Sequence, residues 1–168
     1  MTYEEMQIEH EYLNIQEIDL SGVDGLKGLY LDKNIAINQN IPTTAEKSCI
    51  LAEELGHHYT SAGNILDQSN PSNRKQEHIA RVWAYGYRIG LLGLIDCYKA
   101  GCRNRFEAAE HLNVTEDFLQ RTVDFYRGRY GRYVQVGDYV IFFEPCLGIV
   151  RKIDFDTDFD FLYGNSII

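Results

Sequence analysis

The stretch LAEELGHHYT, residues 51–60, gathers two carboxylates and two imidazoles within two helical turns of chain. On a helix each residue advances about 100°. Glu53 and His57 then stand one turn apart on one side, with Glu54 on the flank of that pair and His58 beyond it. Ser48, Leu51, Ala52, Leu55 and Tyr59 fall on the opposite side as a mostly apolar stripe. An acid–histidine pair at i,i+4 with a second acid between them has the spacing of the metal-binding pattern H-E-x-x-H. Glu77, in QEHIARVWAYG on a second helical segment, offers a third donor. Two ligands from one helix and one from the next make an open three-ligand site that keeps a position for water. A solvated face on an amphipathic helix has the same composition, so spacing alone leaves both readings open.

The surrounding pattern shows what must hold these residues. Thr2 to Leu13 reads as a helix, with Tyr3, Met6 and Ile8 apolar among acids. Residues 14–27 read as irregular and Gly-rich. Gly28 to Ile41 alternates apolar and polar residues on either side of Asp32-Lys33-Asn34, as in a β-hairpin or two short strands. Thr43 with Glu46 three residues on has the form of a capping box, and the helix it opens should run to about Ser61. A polar loop follows, then a helix from about Asn73 to Leu92 and another over residues 91–102 that breaks at Gly101. Arg105 to Tyr126 reads as helix, tight turn at Asn113, helix with Thr115 as its cap. Short β-rich runs split at Gly137 and Pro145 come next, and an acidic tail closes the chain. The order predicts an α+β fold dominated by helices, with a small β-sheet and a helix-turn-helix-like pair.

Composition narrows the function classes. The chain has 168 residues, 45% apolar and 24% charged, which suits one folded domain rather than a disordered chain. No apolar run approaches the roughly 20 residues of a membrane span. The acidic opening MTYEEMQIEHEY has no signal-peptide character, so the expected location is the cytoplasm. Sixteen basic against 25 acidic residues leave a formal charge of −9. That argues against nucleic acid as the main partner, because phosphate binding rests on clustered Lys and Arg. Cys49, Cys97, Cys102 and Cys146 form no C-x-x-C pair and read as reduced thiols.

The run AEKSCILAEELGHHYTSAGN, followed by EHIARVWA, resembles the ImmA/IrrE family of metallo-endopeptidases in its phage and mobile-element branch. That family carries H-E-x-x-H on an active-site helix and E-x-x-A-x-x-F/W-A on a later one, whose Glu is the third zinc ligand. Glu54 and His57 match the Glu and second His of the first motif. Glu77, Ala80, Trp83 and Ala84 match the second. The resemblance is most specific over residues 45–90 and extends more loosely over most of the chain. It implies a zincin-like fold, one bound zinc per chain and proteolysis of a partner regulator, typically a helix-turn-helix repressor of a phage or mobile element in a bacterial cytoplasm. On that basis residues 1–168 form one zincin-like domain. Its parts are an N-terminal helix and strands (1–44), metal-site helices (45–92), a helix-turn-helix-like pair (103–130), C-terminal strands (133–153) and an acidic tail (154–168).

The family's first His is Glu53 here, and three readings follow. In the first, Glu53, His57 and Glu77 are the ligands; a carboxylate binds zinc at a distance similar to imidazole, and two carboxylates favour harder metals such as manganese more than an imidazole pair does. In the second, the ligands shift by one residue to Glu54 and His58. In the third, the site is degenerate, and the protein sequesters its partner without cutting it. The first reading makes Glu54 the general base and uses the strand within Gly28 to Asn38 as the edge along which a substrate lies extended. His58, His78, Tyr85 and Tyr87 are the candidate oxyanion stabilisers.

Other features read more plainly. The second helix of the helix-turn-helix-like pair carries Glu116, Asp117, Arg121 and Asp124 and is not basic. The pair is expected to pack a core through Phe106, Ala109, Leu112, Val114, Phe118, Leu119, Val123 and Tyr126. Trp83, Phe142 and Phe143 are expected in the core. Asp154, Asp156 and Asp158 resemble the opening of a calcium loop, but Phe159 stands where its Gly is needed.

Overall fold

The computed structural model describes residues 1–60 and 71–152, with the side chains of 71–73 outside that description. The polar loop expected before Pro71 and the acidic tail expected from Asp154 lie outside the described residues. Helices dominate what is described, beside two three-stranded sheets, so the fold is mixed α+β. The chain gathers into two compact units. One comprises Met1–Arg88 with Asn113–Thr115, the other Ile89–Leu112 with the residues from Glu116 onward.

The first unit begins with α1 (Tyr3–Glu9), capped by Thr2 in a complete capping box with Glu5. α1 is shorter than the expected Thr2–Leu13 helix, because the chain turns at His10 and runs directly into β1 (Asn14–Ile18). That strand falls where the sequence reads as irregular. It pairs in parallel with β3 (Asn34–Asn38), which pairs antiparallel with β2 (Gly28–Leu31), so the sheet order is β1-β3-β2. β2 and β3 form the expected hairpin. Asp32 and Lys33 both adopt positive φ, 44° and 64°, as a two-residue turn matching the strand twist requires. Ile35 and Ile37 of β3 are buried, and alternation places them on one face of the sheet.

α2 (Thr44–Thr60) packs on β2 and β3 and against α1 and α3 (Pro71–Arg88). Its start is the predicted one: Thr43 Oγ1 accepts from the Glu46 amide at 3.2 Å. The Glu46 carboxylate bonds Lys27 Nζ at 2.7 Å. Ser48, Leu51, Ala52 and Leu55 have no exposed surface, as the stripe predicts. Tyr59 departs from it: 48% exposed, it stacks on Trp83, which in turn stacks on Tyr87. Trp83 therefore joins an aromatic ladder rather than the deep core. Arg88, buried at the end of α3, donates to the Met1 carbonyl (3.0 Å), Ser48 Oγ (3.1 Å) and the Asn113 carbonyl (2.8 Å).

The second unit holds α4 (Gly90–Ala100), α5 (Arg105–Leu112), α6 (Glu116–Tyr130) and a meander of β4 (Tyr133–Val136), β5 (Tyr139–Phe142) and β6 (Gly148–Arg151). The helix expected to reach Leu92 ends at Arg88, and Gly90 takes φ +60° at the break. Gly101 is the left-handed C-cap of α4, and Asn113, at φ 53°, makes the turn between α5 and α6. Ala109, Phe118, Leu119, Val123 and Tyr126 are buried as expected, whereas Phe106 is 57% exposed. Phe143 is buried and Phe142 only partly so. The α6 arginines face acids on their own helix, Arg121 to Asp117 and Arg127 to Asp124, each at 2.8 Å. Among the described residues no helix is long and apolar enough to cross a membrane.

Candidate active site

The site grows from the contact of α2 with α3. Gly56 lies directly against the backbone of Ala80, itself fully buried, so the two helices meet without side chains between them at that point. His57 follows Gly56, and Glu77 precedes Ala80 by one turn. Their side chains meet there, His57 Nε2 to Glu77 Oε2 at 3.1 Å, with 12% and 19% of their surfaces exposed. The other Glu77 oxygen accepts from Arg81 Nη2 at 2.9 Å, one turn further along α3. Arg81 was legible as an i+4 partner of Glu77, though the sequence reading did not name it.

Glu54 is held by a different neighbour. It lies against β2, where Gly28 has no side chain to displace it, and the backbone N–H of Tyr30 draws its pKa down. That amide points outward. Asn38 N–H bonds the Lys27 carbonyl at 2.9 Å, which makes Lys27–Asn38 a hydrogen-bonded pair of the β2–β3 ladder. By alternation Leu29 pairs inward with Ala36, while Gly28 and Tyr30 direct their N–H and C=O groups away from β3. Glu54 therefore sits at the open edge of the sheet. Nothing in sequence spacing shows that Gly28 and Tyr30 meet Glu54, because the contact needs the hairpin and α2 folded together.

The electrostatics follow from this packing. Burial, reinforced by the charges of Glu53 and Glu77, lifts the Glu54 carboxyl from 4.5 to about 7, against the opposing pull of His57 and the Tyr30 amide. Burial pulls His57 down, but the hydrogen bond to Glu77 and the charges of Glu54, Glu77 and Glu53 outweigh it, so His57 stands above its ordinary 6.5. Glu77 is held below 4.5, first by its hydrogen bond to His57. A base poised near neutrality beside a histidine–carboxylate pair is a group arrangement suited to proton transfer.

His58 goes elsewhere. Its Nδ1 meets the Tyr30 hydroxyl at 3.0 Å, its ring packs on Tyr12, Tyr30 and Tyr59, and burial holds its pKa below 6.5. The register that pairs with α3 is therefore His57, not His58. His78 is exposed, Tyr85 is buried, and Tyr87 bonds Glu9 at 2.5 Å. Cys49 is buried, as expected.

The donors can be compared with a metal's needs. Two ligands bound to one tetrahedral zinc at about 2.0–2.1 Å lie roughly 3.3 Å apart, close to the His57–Glu77 separation. An imidazole and a carboxylate are also suitable donors, so these two residues fit. Glu53 is one turn before His57 on α2. Yet among the described residues no three His, Cys, Asp or Glu side chains are gathered as a ready-made metal group. Comparison of the whole chain with protein families, with curated proteins and with solved structures returned no match in any of the three.

Proposed function

We propose that the protein is a metal-dependent endopeptidase whose working residues are Glu54, His57, Glu77 and Glu53. The observation that supports it is the meeting of His57 and Glu77 across two helices, with Glu54 raised to about 7 at the open edge of β2. Glu53, His57 and Glu77 would hold a zinc or manganese ion, which when bound supplies Lewis acidity toward a water and a peptide carbonyl. Glu54 takes the water's proton and passes it to the leaving amine. A peptide lying along β2 bonds the outward N–H and C=O of Gly28 and the Tyr30 carbonyl, which sets its backbone beside Glu54. The resemblance of residues 45–90 to the ImmA/IrrE family suggests a substrate, a helix-turn-helix repressor of a phage or mobile element, a cytoplasmic setting and a zincin-like fold.

Elemental mass spectrometry tests the reading first. After incubation with zinc or manganese, about one ion per chain is expected, lost in folded His57→Ala and Glu77→Ala. Absence of metal from the wild type would sink the proposal. A second reading, a module that sequesters the repressor without cutting it, is favoured by Arg81, whose guanidinium already occupies one Glu77 oxygen. Glu54→Gln separates the two: a peptidase keeps its metal and loses turnover, while a sequestering module keeps its partner unaffected.

A further inference from the structure

We infer that two glycines set the spacing of this site: Gly56 fixes the His57–Glu77 distance, and Gly28 fixes where Glu54 lies. They are positioning residues, and calling them so rests on the reading of Glu54, His57 and Glu77 as the working groups. A Cβ added at Gly56 would stand 2.9 Å from the Ala80 carbonyl carbon and closer still to its oxygen. Carbon atoms pack at about 3.5–4.0 Å, so the helices must part by at least ~0.6 Å at that point. The obstruction is backbone, which cannot rotate aside. His57 adjoins Gly56, and Glu77 is one turn from Ala80, so the separation passes almost undiminished to the pair. Their 3.1 Å contact would then open beyond the usual hydrogen-bond range of about 2.7–3.2 Å.

Gly28 acts on the other working group. A Cβ there would lie 2.6 Å from Glu54 Oε1 and 2.6 Å from Ile50 Cγ2. The Glu54 carboxylate can swing aside, whereas Ile50 Cγ2 is a methyl on the stiff branched Cβ of a buried side chain, so β2 and α2 must ease apart slightly while the carboxylate moves furthest. Another described glycine differs. A Cβ at Gly86, on α3 itself, meets nothing within 4 Å.

The test reads geometry without needing activity. The imidazole 15N shifts of His57 report its hydrogen bond to Glu77, and the side-chain carboxyl 13C shift of Glu54 reports its surroundings, both at one fixed pH on the full chain. Gly56→Ala is expected to move the His57 signature toward that of Glu77→Ala. Gly28→Ala is expected to move the Glu54 signal and leave His57 in place. Gly86→Ala is expected to leave both unchanged. A folded Gly56→Ala with the wild-type His57 signature overturns the role of Gly56. A Gly28→Ala with an unmoved Glu54 signal overturns that of Gly28, and a Gly56→Ala that does not fold overturns the spacing role of Gly56, since the residue then supports the helix pair as a whole. If both signatures move as expected but the wild type neither binds metal nor cleaves, the spacing role stands and the peptidase reading fails.

Discussion

His57 and His111 each hold a carboxylate at hydrogen-bond distance, and the shorter contact is the less consequential one. His111 Nε2 lies 2.8 Å from Asp96, with side chains 34% and 64% exposed. His57 lies 3.1 Å from Glu77, with both side chains mostly covered. The first pair links α4 and α5 at the surface of the second unit, where water solvates each partner when the contact breaks. The second stands between α2 and α3 with Glu54 beside it, where a lost partner leaves a covered charge. Distance alone does not make a site; enclosure and a third ionisable neighbour do.

The sharpest way to break this comparison is catalytic. Under the proposed peptidase reading, Glu54→Gln should lower peptide hydrolysis about 100- to 10,000-fold, the usual contribution of a general base. His111→Ala should leave hydrolysis unchanged, measured on the same substrate. Equal losses from both variants would erase the distinction.

Stability comes next in size. Glu77→Ala strips His57 and Arg81 of a shared partner and should cost ~1–3 kcal/mol in urea unfolding at pH 6. Asp96→Ala should cost no more than about 0.5 kcal/mol, as exposed pairs do.

The pH dependence separates the groups within the first site. Glu77 is held below 4.5, so its share of stability is present above 4.5 and is lost as pH falls through its folded pKa. His57 is raised above 6.5, so its share is present below 6.5 and is lost as pH rises through its folded pKa. The pair therefore contributes most between about pH 4.5 and 6.5. Glu54 runs the other way. Raised from 4.5 to about 7, it costs stability progressively as pH climbs through that interval. Glu54→Gln should consequently unfold at higher urea than the wild type above pH 7, by ~1–3 kcal/mol, and show no gain below pH 4.5.

The smallest effect is ionic. Raising salt toward 1 M should erase the difference between Asp96→Ala and wild type, while most of the Glu77→Ala deficit persists, because screening reaches exposed charges first.

Local chemistry was readable where a residue satisfies its own backbone. The Thr43 cap, the Asp32-Lys33 turn, the Asn113 turn and the Gly101 stop all follow from side-chain or φ requirements of a few adjacent residues. β1 was not readable. NIQEI is almost wholly exposed and has no apolar alternation; its order comes from pairing with β3 and from the ion pair of Glu17 with Lys47 of α2. The break at Ile89–Gly90 was obscured because apolar residues run on either side of it. At the site, the alignment of Glu53 with His57 and the partnership of α2 with α3 were legible from helical spacing. The contacts of Gly28 and Tyr30 with Glu54 were not, since they join a strand to a helix across an intervening strand and turn. Arg88 looks like one more charge at a helix end until the Met1, Ser48 and Asn113 acceptors are placed around it.

Those acceptors impose an order in time on synthesis. Met1, Ser48 and Asn113 meet on one guanidinium, although they are scattered over more than a hundred positions of chain. During translation, at roughly 5–20 residues per second, α1 and α2 leave the ribosome seconds before the Asn113 carbonyl exists. Arg88 lies close enough before Asn113 to emerge from the ribosome with it, so α1 and α2 wait for the guanidinium and the Asn113 carbonyl together. Ribosome-bound chains with Arg88 still inside the exit tunnel should therefore be cut by protease within α1, and chains released beyond α6 should resist.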